Sequence, residues 1–260
     1  MSKADPILPG LSIVIPAWNE EDRLTRTLGR YLPALESRKD PFEVIVVSDG
    51  IRDRTAEVAR SFSDRGVRVL EFPEKLGKGG AILAGLRAAQ FDNVGYVDAD
   101  GPIAPSQIYS MVDSLKDVDC VIASRWMRGS VILRSEPLFN RLAGRIWNSM
   151  VRALLFLPIR DTQCGAKFFK RSIVAPLLRT VTVTNRAFDV VFLYHVRQAG
   201  ASVREIPVTW SHDPNTRMPV GRAIPVMFLS LVGARVMNTP VGRRVPPRMI
   251  RWFTHRYGPT

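Results

Sequence analysis

Residues 11–20 read Leu-Ser-Ile-Val-Ile-Pro-Ala-Trp-Asn-Glu, and residues 94–101 read Val-Gly-Tyr-Val-Asp-Ala-Asp-Gly. Each is a short apolar run that stops at a polar loop. The run Leu11–Pro16 is β-branched and ends at proline, which predicts a strand buried on both faces, as in a parallel sheet. Working outward, residues 20–37 place Leu24, Leu28, Tyr31, Leu32 and Leu35 at helical spacing behind acids in the first turn. A strand over 43–47, the turn Ser48-Asp49-Gly50, a helix over 54–65, a strand over 67–72, a helix over 78–90 and a strand over 94–97 follow. This β-α-β-α-β-α-β order predicts an α/β fold with a mostly parallel central sheet and helices on both faces. Beyond Asp100 the alternation loosens. A helix over 105–115 and a strand over 119–124 lead to a basic stretch and a long amphipathic helix over 138–157. A glycine-containing segment over 162–169, a helix over 189–199 and a strand over 203–210 complete the ordered pattern.

A chain of 260 residues, 46% of them hydrophobic, supports one sizeable core and one large domain. The net charge of +13 implies an anionic partner: nucleic acid, anionic lipid or a phosphorylated substrate. Cys120 and Cys164 are the only cysteines, and Cys120 lies in an apolar run, so a reducing compartment without a disulfide framework is expected. Met1–Gly10 lacks the apolar core of a signal peptide. The longest uncharged apolar stretch near the C-terminus, 223–234, has 12 residues and contains Pro225. A spanning helix needs roughly 20, so membrane contact is expected to be interfacial or made through a membrane-protein partner. After Asp213 the chain holds eight arginines and no acid.

Ligands of open parallel sheets bind beyond the carboxyl ends of the strands. Three such ends carry polar loops: Pro16–Glu20, Ser48–Gly50 and Asp98–Asp100. Bringing Glu20, Asp49, Asp98 and Asp100 together costs like-charge repulsion unless a cation joins them. Hard oxygen ligands and phosphate favour Mg²⁺ or Mn²⁺ over zinc. The alternative, that each acid caps the next helix, stays open. Lys78-Gly79-Gly80 opens a helix, where an anion is favoured and glycine permits close approach; a tight turn before a packed helix fits equally.

The ordered set IPAWNEE, VVSDGIRDRT, KLGKGGAILAGL and VDADG resembles the family 2 glycosyltransferases. ASRW, PLFNRLAGRIWN, IRDTQCGAKFFKR, NRAFDVVFLY and REIPVTW are similar to the dolichyl-phosphate β-glucosyltransferases, with dolichyl-phosphate mannose synthases as close relatives. The resemblance runs from Ser12 to Trp210. It implies a GT-A fold, an inverting transfer and a nucleotide-diphosphate sugar donor. Pro16, Trp18, Glu20 and Asp49 would hold the nucleoside, and Asp98 and Asp100 the metal and diphosphate. Trp18 stands where tyrosine is frequent, and Ile51 where serine is usual. Gly101 resembles the glucosyl group, which favours UDP-glucose over the GDP-mannose of the mannosyl relatives. The implied organisation is a segment 1–10, a catalytic domain 11–212 with a donor half 11–100 and an acceptor half 101–212, and a basic membrane-surface tail 213–260.

The acceptor side has its own electrostatic signal. Between Val121 and Arg160 lie seven arginines and one glutamate. Arginine binds phosphate bidentately and stays charged. Arg125, Arg141 and Arg145 fall in segments resembling acceptor-phosphate binders, with Lys167 as a further candidate. A basic face in solvent is the competing reading. Leu138, Leu142, Ile146, Met150 and Leu154 form one helical column flanked by arginines, which suits a helix lying in lipid headgroups; a helix packed on the sheet shares most of that pattern. Asp161 opens Asp-Thr-Gln-Cys-Gly as a catalytic candidate, as an orienter of Lys167 or an arginine, or as the cap of a turn. A lipid monophosphate is already ionised near neutrality, its second pKa being about 6, so its oxygen needs no base. Asn185, Arg186 and Asp189 either line the sugar pocket or start the next helix. No nucleic acid is expected, because the arginine-rich segments lack interleaved aromatics. The expectation is therefore a metal-dependent hexosyltransferase, peripheral on the cytoplasmic face of a membrane, acting on a polyprenyl phosphate. A mannosyl enzyme is the first alternative and a glycosyltransferase with a non-lipid acceptor the next; from another class, the alternative is a non-catalytic basic membrane- or RNA-binding module.

Overall fold

The computed structural model describes residues 8–50, 52–135, 137–181, 183, 185–213 and 220–237. In chain order the elements are β1 (Leu8–Ala17), α1 (Glu21–Ser37), β2 (Phe42–Asp49), α2 (Thr55–Arg60), β3 (Val67–Phe72), α3 (Gly77–Ala88), β4 (Phe91–Val97), α4 (Pro105–Ser114) and β5 (Cys120–Ser124). They continue as β6 (Val131–Arg134), α5 (Leu138–Leu155), β7 (Ala166–Lys170), α6 (Arg171–Leu177), α7 (Phe188–Gln198), β8 (Val203–Pro207), β9 (Thr209–Ser211) and α8 (Val220–Met237).

Seven strands form one sheet in the order β3-β2-β1-β4-β7-β5-β8. Every neighbour pairs in parallel except β7, which runs antiparallel to both β4 and β5. The period-2 alternation of the strands divides the core. Val14, Ile45, Val47 and Val94 face α3, α5, α6, α7 and α8, whereas Ile13, Ile15, Val44 and Val46 face α1 and α4. The expected α/β architecture, with helices on both faces, is therefore the one observed.

Topology determines where a site forms. From β1 the chain builds outward to β2 and β3, then crosses back to place β4 on the other side of β1. The order reverses between β1 and β4, and crevices open at such switch points. Because β7 is antiparallel, its leading loop arrives at the same rim as the carboxyl ends of β4 and β5: Asp98 N–H donates to the Gly165 carbonyl at 2.9 Å.

Four elements depart from the sequence reading. The segment 162–169 contains β7, a strand held by ladders on both sides. The single strand expected over 203–210 is two, β8 on the main sheet and β9 on a small parallel sheet with β6. The expected helix over 54–65 splits into α2 and a short 3-10 turn, Ser63–Arg65. Part of the basic tail is a helix, α8, whose Met227 and Leu231 are buried against the core. The remaining tail, 238–260, lies outside the described residues. Among the described residues no helix is long and apolar enough to cross a membrane. Both cysteines are buried and free.

Candidate active site

On the β1 and β2 side of the rim, Trp18 is 43% exposed and the Lys75 ammonium lies 4.0 Å above its ring. Trp18, Gly50, Arg52, Pro73 and Lys75 line a cleft of about 430 Å³. A flat aromatic wall with cations beside it suits a nucleobase and its phosphates. Pro16 lies in β1 just before this cleft. Asp49, at the end of β2, is buried below it. Its carboxylate accepts from the backbone N–H groups of Leu76 and of Gly77, the latter at 2.9 Å. Burial raises its pKa, against the pull of those two donors. Gly50 has φ +60, and a Cβ there would lie 3.0 Å from the Lys75 nitrogen, so the turn into the cleft requires glycine. Glu20 pairs with Arg23 at 2.8 Å, and Arg23 also reaches Asp213 at 2.9 Å.

On the β4 side, Asp98 and Asp100 follow the strand end. Burial, then Asp98, pushes the Asp100 carboxyl up to about 7. Its Oδ1 is buried and has no hydrogen-bond partner. A buried, unpartnered carboxylate oxygen next to a second carboxylate is a costly arrangement that a divalent cation would relieve. The hard-oxygen donor set thus fits Mg²⁺ or Mn²⁺. Among the described residues no group of three or more His, Cys, Asp or Glu side chains could hold a metal, so other oxygens would have to complete the coordination.

Lys78, on the first turn of α3, bridges Asp98 at 2.8 Å and Asp189 at 3.1 Å. A Cβ on Gly79 would lie 2.6 Å from the Phe188 side chain and 2.8 Å from the Val183 carbonyl, so α3 packs on the start of α7 through this glycine. Lys167 departs from the expected place among the acceptor-phosphate binders. It is fully buried, and its ammonium is bound to Asp189 Oδ1 and the Cys164 carbonyl, both at 2.7 Å. It is a buried counter-charge with no route to an acceptor in solvent.

Asp161 is fully buried and holds Arg125. It accepts from the Arg125 Nε at 2.7 Å, Nη2 at 3.0 Å and backbone N–H at 3.0 Å. Burial alone would raise its pKa, but Arg125 outweighs that and keeps it below the usual carboxylate range. Asp161 thus orients an arginine, and it also caps its own turn by accepting from the Gln163 N–H at 3.2 Å. The guanidinium of Arg125 also sits 5.2 Å over Trp210. The turn that carries Asp161 is itself fixed, since Glu205 accepts from the backbone N–H of Arg160 at 2.9 Å and of Asp161 at 3.0 Å. Arg141 and Arg145 lie exposed on α5, on the same stretch as exposed Leu138, Leu142 and Ile146.

Sequence reading missed Lys75, Tyr96 and Gly165. It left Asp189 between pocket and helix start; the carboxylate is buried at the start of α7 beneath the rim. Asn185 accepts from Ala187 N–H at 2.8 Å and donates to Ser230 at 2.9 Å, so it braces the entry to α7.

The family model described as Glycosyl transferase family 2 matches residues 12–178. The chain is 33% identical to the dolichyl-phosphate beta-glucosyltransferase of Drosophila melanogaster, over 80% of this chain and 69% of that protein. The human protein of the same name is 31% identical with the same coverage. Glycosyltransferase AglD of Haloferax volcanii is 32% identical over 94% of this chain, which spans only 39% of AglD's length. Among solved structures, the fold is similar to glucosyl-3-phosphoglycerate synthase of Mycobacterium tuberculosis. The complex with Mn²⁺ and UDP-glucose has a TM-score of 0.65 and 20% identity, over 86% of this chain and 79% of that one.

Proposed function

The chain belongs to glycosyl transferase family 2, and from that premise we propose that it transfers glucose from UDP-glucose to a polyprenyl phosphate with inversion. What supports the reading is that the chemistry-bearing groups follow the carboxyl ends of parallel strands in one sheet: Trp18 after β1, Asp49 at the end of β2, Asp98 and Asp100 after β4, and Arg125, clamped by Asp161, after β5. The hydrogen bond from Asp98 to Gly165 ties the two halves together. The names of the relatives, dolichyl-phosphate beta-glucosyltransferase, support the acceptor class and the sugar.

In this reading Trp18 stacks the base and Asp49 fixes the loop that carries Lys75 and Gly77. Asp98 and Asp100 would hold Mg²⁺ or Mn²⁺, which when bound would neutralise charge on the departing diphosphate. Arg125 receives the acceptor phosphate, whose oxygen arrives ionised. The bond from that oxygen to the anomeric carbon forms as the bond to the diphosphate breaks, and the electron pair leaves with the diphosphate. The protein's contribution is positioning and fixed charge.

The acceptor's lipid requires contact with a membrane, on the cytoplasmic face in our reading. Val131, Ile132 and Leu133 of β6 and Leu138, Leu142 and Ile146 of α5 are exposed, and Arg134, Arg141 and Arg145 lie among them. Apolar side chains interleaved with arginines suit an anionic lipid surface. The test is a panel of UDP- and GDP-sugars with a polyprenyl phosphate, with and without EDTA, read by product mass. Polyprenyl-phosphate glucose formed only with metal is expected. A mannosyl product would transfer the assignment to GDP-mannose, and no product with any donor would overturn it.

A further inference from the structure

Beneath the proposed metal site lies a buried polar cluster for which the chemistry described so far has no use. Asp189 is 1% exposed. One of its oxygens accepts from the Lys167 ammonium at 2.7 Å and from the Tyr96 hydroxyl at 2.8 Å. The other meets the Lys78 ammonium at 3.1 Å. Lys78 continues to Asp98 at 2.8 Å. Tyr96, Lys167, Lys78 and Asp189 come from β4, β7, α3 and α7, Asp98 follows β4, and the chain of contacts runs from the core to the rim.

The charges within this cluster balance. Asp98 and Asp189 carry two negative charges, and Lys78 and Lys167 two positive ones. A buried carboxylate is stable only with such partners. Lys167 and Tyr96 together satisfy one oxygen of Asp189, which leaves the other to aim Lys78. Lysine has a flexible four-carbon stem and no fixed fork, so its direction must be supplied by its surroundings. Lys78 is also the one member of the cluster besides Asp98 that keeps some exposure, at 22% of its side chain. It sits at the boundary between the buried carboxylate and the crevice.

We propose that Asp189 is a positioning residue for the donor: held by Lys167 and Tyr96, it aims the Lys78 ammonium at the place where Asp98 meets the diphosphate. Lys78 balances Asp98 when no donor is bound and contacts the diphosphate when it arrives with its cation. The assignment rests on the proposed nucleotide-sugar chemistry and adds to it a residue that never touches the substrate.

The test is a double-mutant cycle read by calorimetry of UDP binding in Mn²⁺, with thermal unfolding measured on every variant. Lys78→Met should weaken UDP by about ten-fold or more, the size of a lost charge-assisted contact. Asp189→Asn should weaken it to a similar degree, and the double variant should be no worse than Lys78→Met alone, because one residue acts through the other. The KM for the nucleotide sugar should rise with Asp189→Asn while the KM for the acceptor stays unchanged. Asp189→Asn leaves Lys167 buried without its counter-charge and risks unfolding. The charge-balanced pair Lys167→Met with Asp189→Leu avoids that, and should show the same loss of UDP affinity in a folded protein. Wild-type UDP affinity in any folded Asp189 variant, or losses that add in the double variant, would overturn the assignment. A wild type that prefers GDP corrects the donor and leaves this assignment to be decided by the same cycle run with GDP. A wild type that binds neither overturns both.

Discussion

A Cβ built on Gly165 would lie 2.2 Å from Oδ2 of Asp98 and 2.6 Å from its Cγ. The carboxylate cannot keep its place beside such a group. Gly165→Ala should therefore displace Asp98 and cut turnover on the order of 10²-fold, the usual consequence of misplacing a reacting group by about 1 Å. Steady-state kinetics and thermal unfolding on the same preparation check this, and the melting temperature should move far less than the rate. Asp98 and Asp100 are legible in the sequence because they end an apolar run. Gly165 is not, since its reason lies in a strand that returns antiparallel beside β4. Asp161 gives a pH-dependent case. Its folded pKa is depressed by Arg125 against the opposing effect of burial. A carboxylate of that kind stabilises the fold above its unfolded pKa, about 3.9, and the contribution is lost as pH falls through the lower folded value. Asp161→Asn, which leaves Arg125 without its counter-charge, should cost about 3–5 kcal/mol at neutral pH. That deficit should shrink below about pH 4, where wild type itself loses the interaction. Melting temperatures of both proteins across the acid range measure it.

At the scale of elements, α5 shows how two readings of one pattern divide along a single helix. Trp147, Val151 and Leu155 are buried, while Leu138, Leu142 and Ile146 of the neighbouring column are exposed. Met150 and Leu154, further along that column, pack against the core. The C-terminal half is an ordinary amphipathic helix, and its first turns project with apolar side chains outward. Leu155→Ala should cost about 2–5 kcal/mol, as for a buried leucine, and Leu142→Ala no more than about 0.5 kcal/mol. Denaturant unfolding separates them. Leu142→Glu with Ile146→Glu should leave stability near wild type and lower co-sedimentation with anionic vesicles, which ties the exposed column to the membrane. The amphipathic period made α5 legible, but a period reports one apolar face and not how far a neighbour covers it. The first four strands are legible from their short apolar runs, and α1 from its helical spacing. The strand β7 was not, because a five-residue segment next to glycine becomes a strand only through the ladders that β4 and β5 supply. The break between β8 and β9 was hidden because adjoining residues pair with different sheets.

At the scale of the whole molecule, the charge of +13 is unevenly spread along the chain. The basic excess gathers toward the C-terminus, and the structure divides that region in two. The helix α8 belongs to the fold, since Met227 and Leu231 are buried against it and Arg235 lies 5.4 Å over the ring of Phe156 at the end of α5. A truncation after Val220 would strip those side chains from the core, and any loss of membrane binding would then report unfolding. The informative cut falls after Met237. Residues 238–260 carry five arginines and no acid. Each basic residue near an anionic leaflet contributes about 1 kcal/mol, so even half of them would supply roughly 2–3 kcal/mol, on the order of 30- to 150-fold in partitioning. The 1–237 chain should therefore unfold at the same temperature as the full chain and co-sediment with anionic vesicles tens of times less well at low salt. The gap should narrow at about 0.5 M salt, where the Debye length falls to a few ångströms and only apolar insertion remains. Equal binding of the two chains at both salt concentrations would remove the tail as an anchor and leave the exposed residues of β6 and α5 to carry the docking alone.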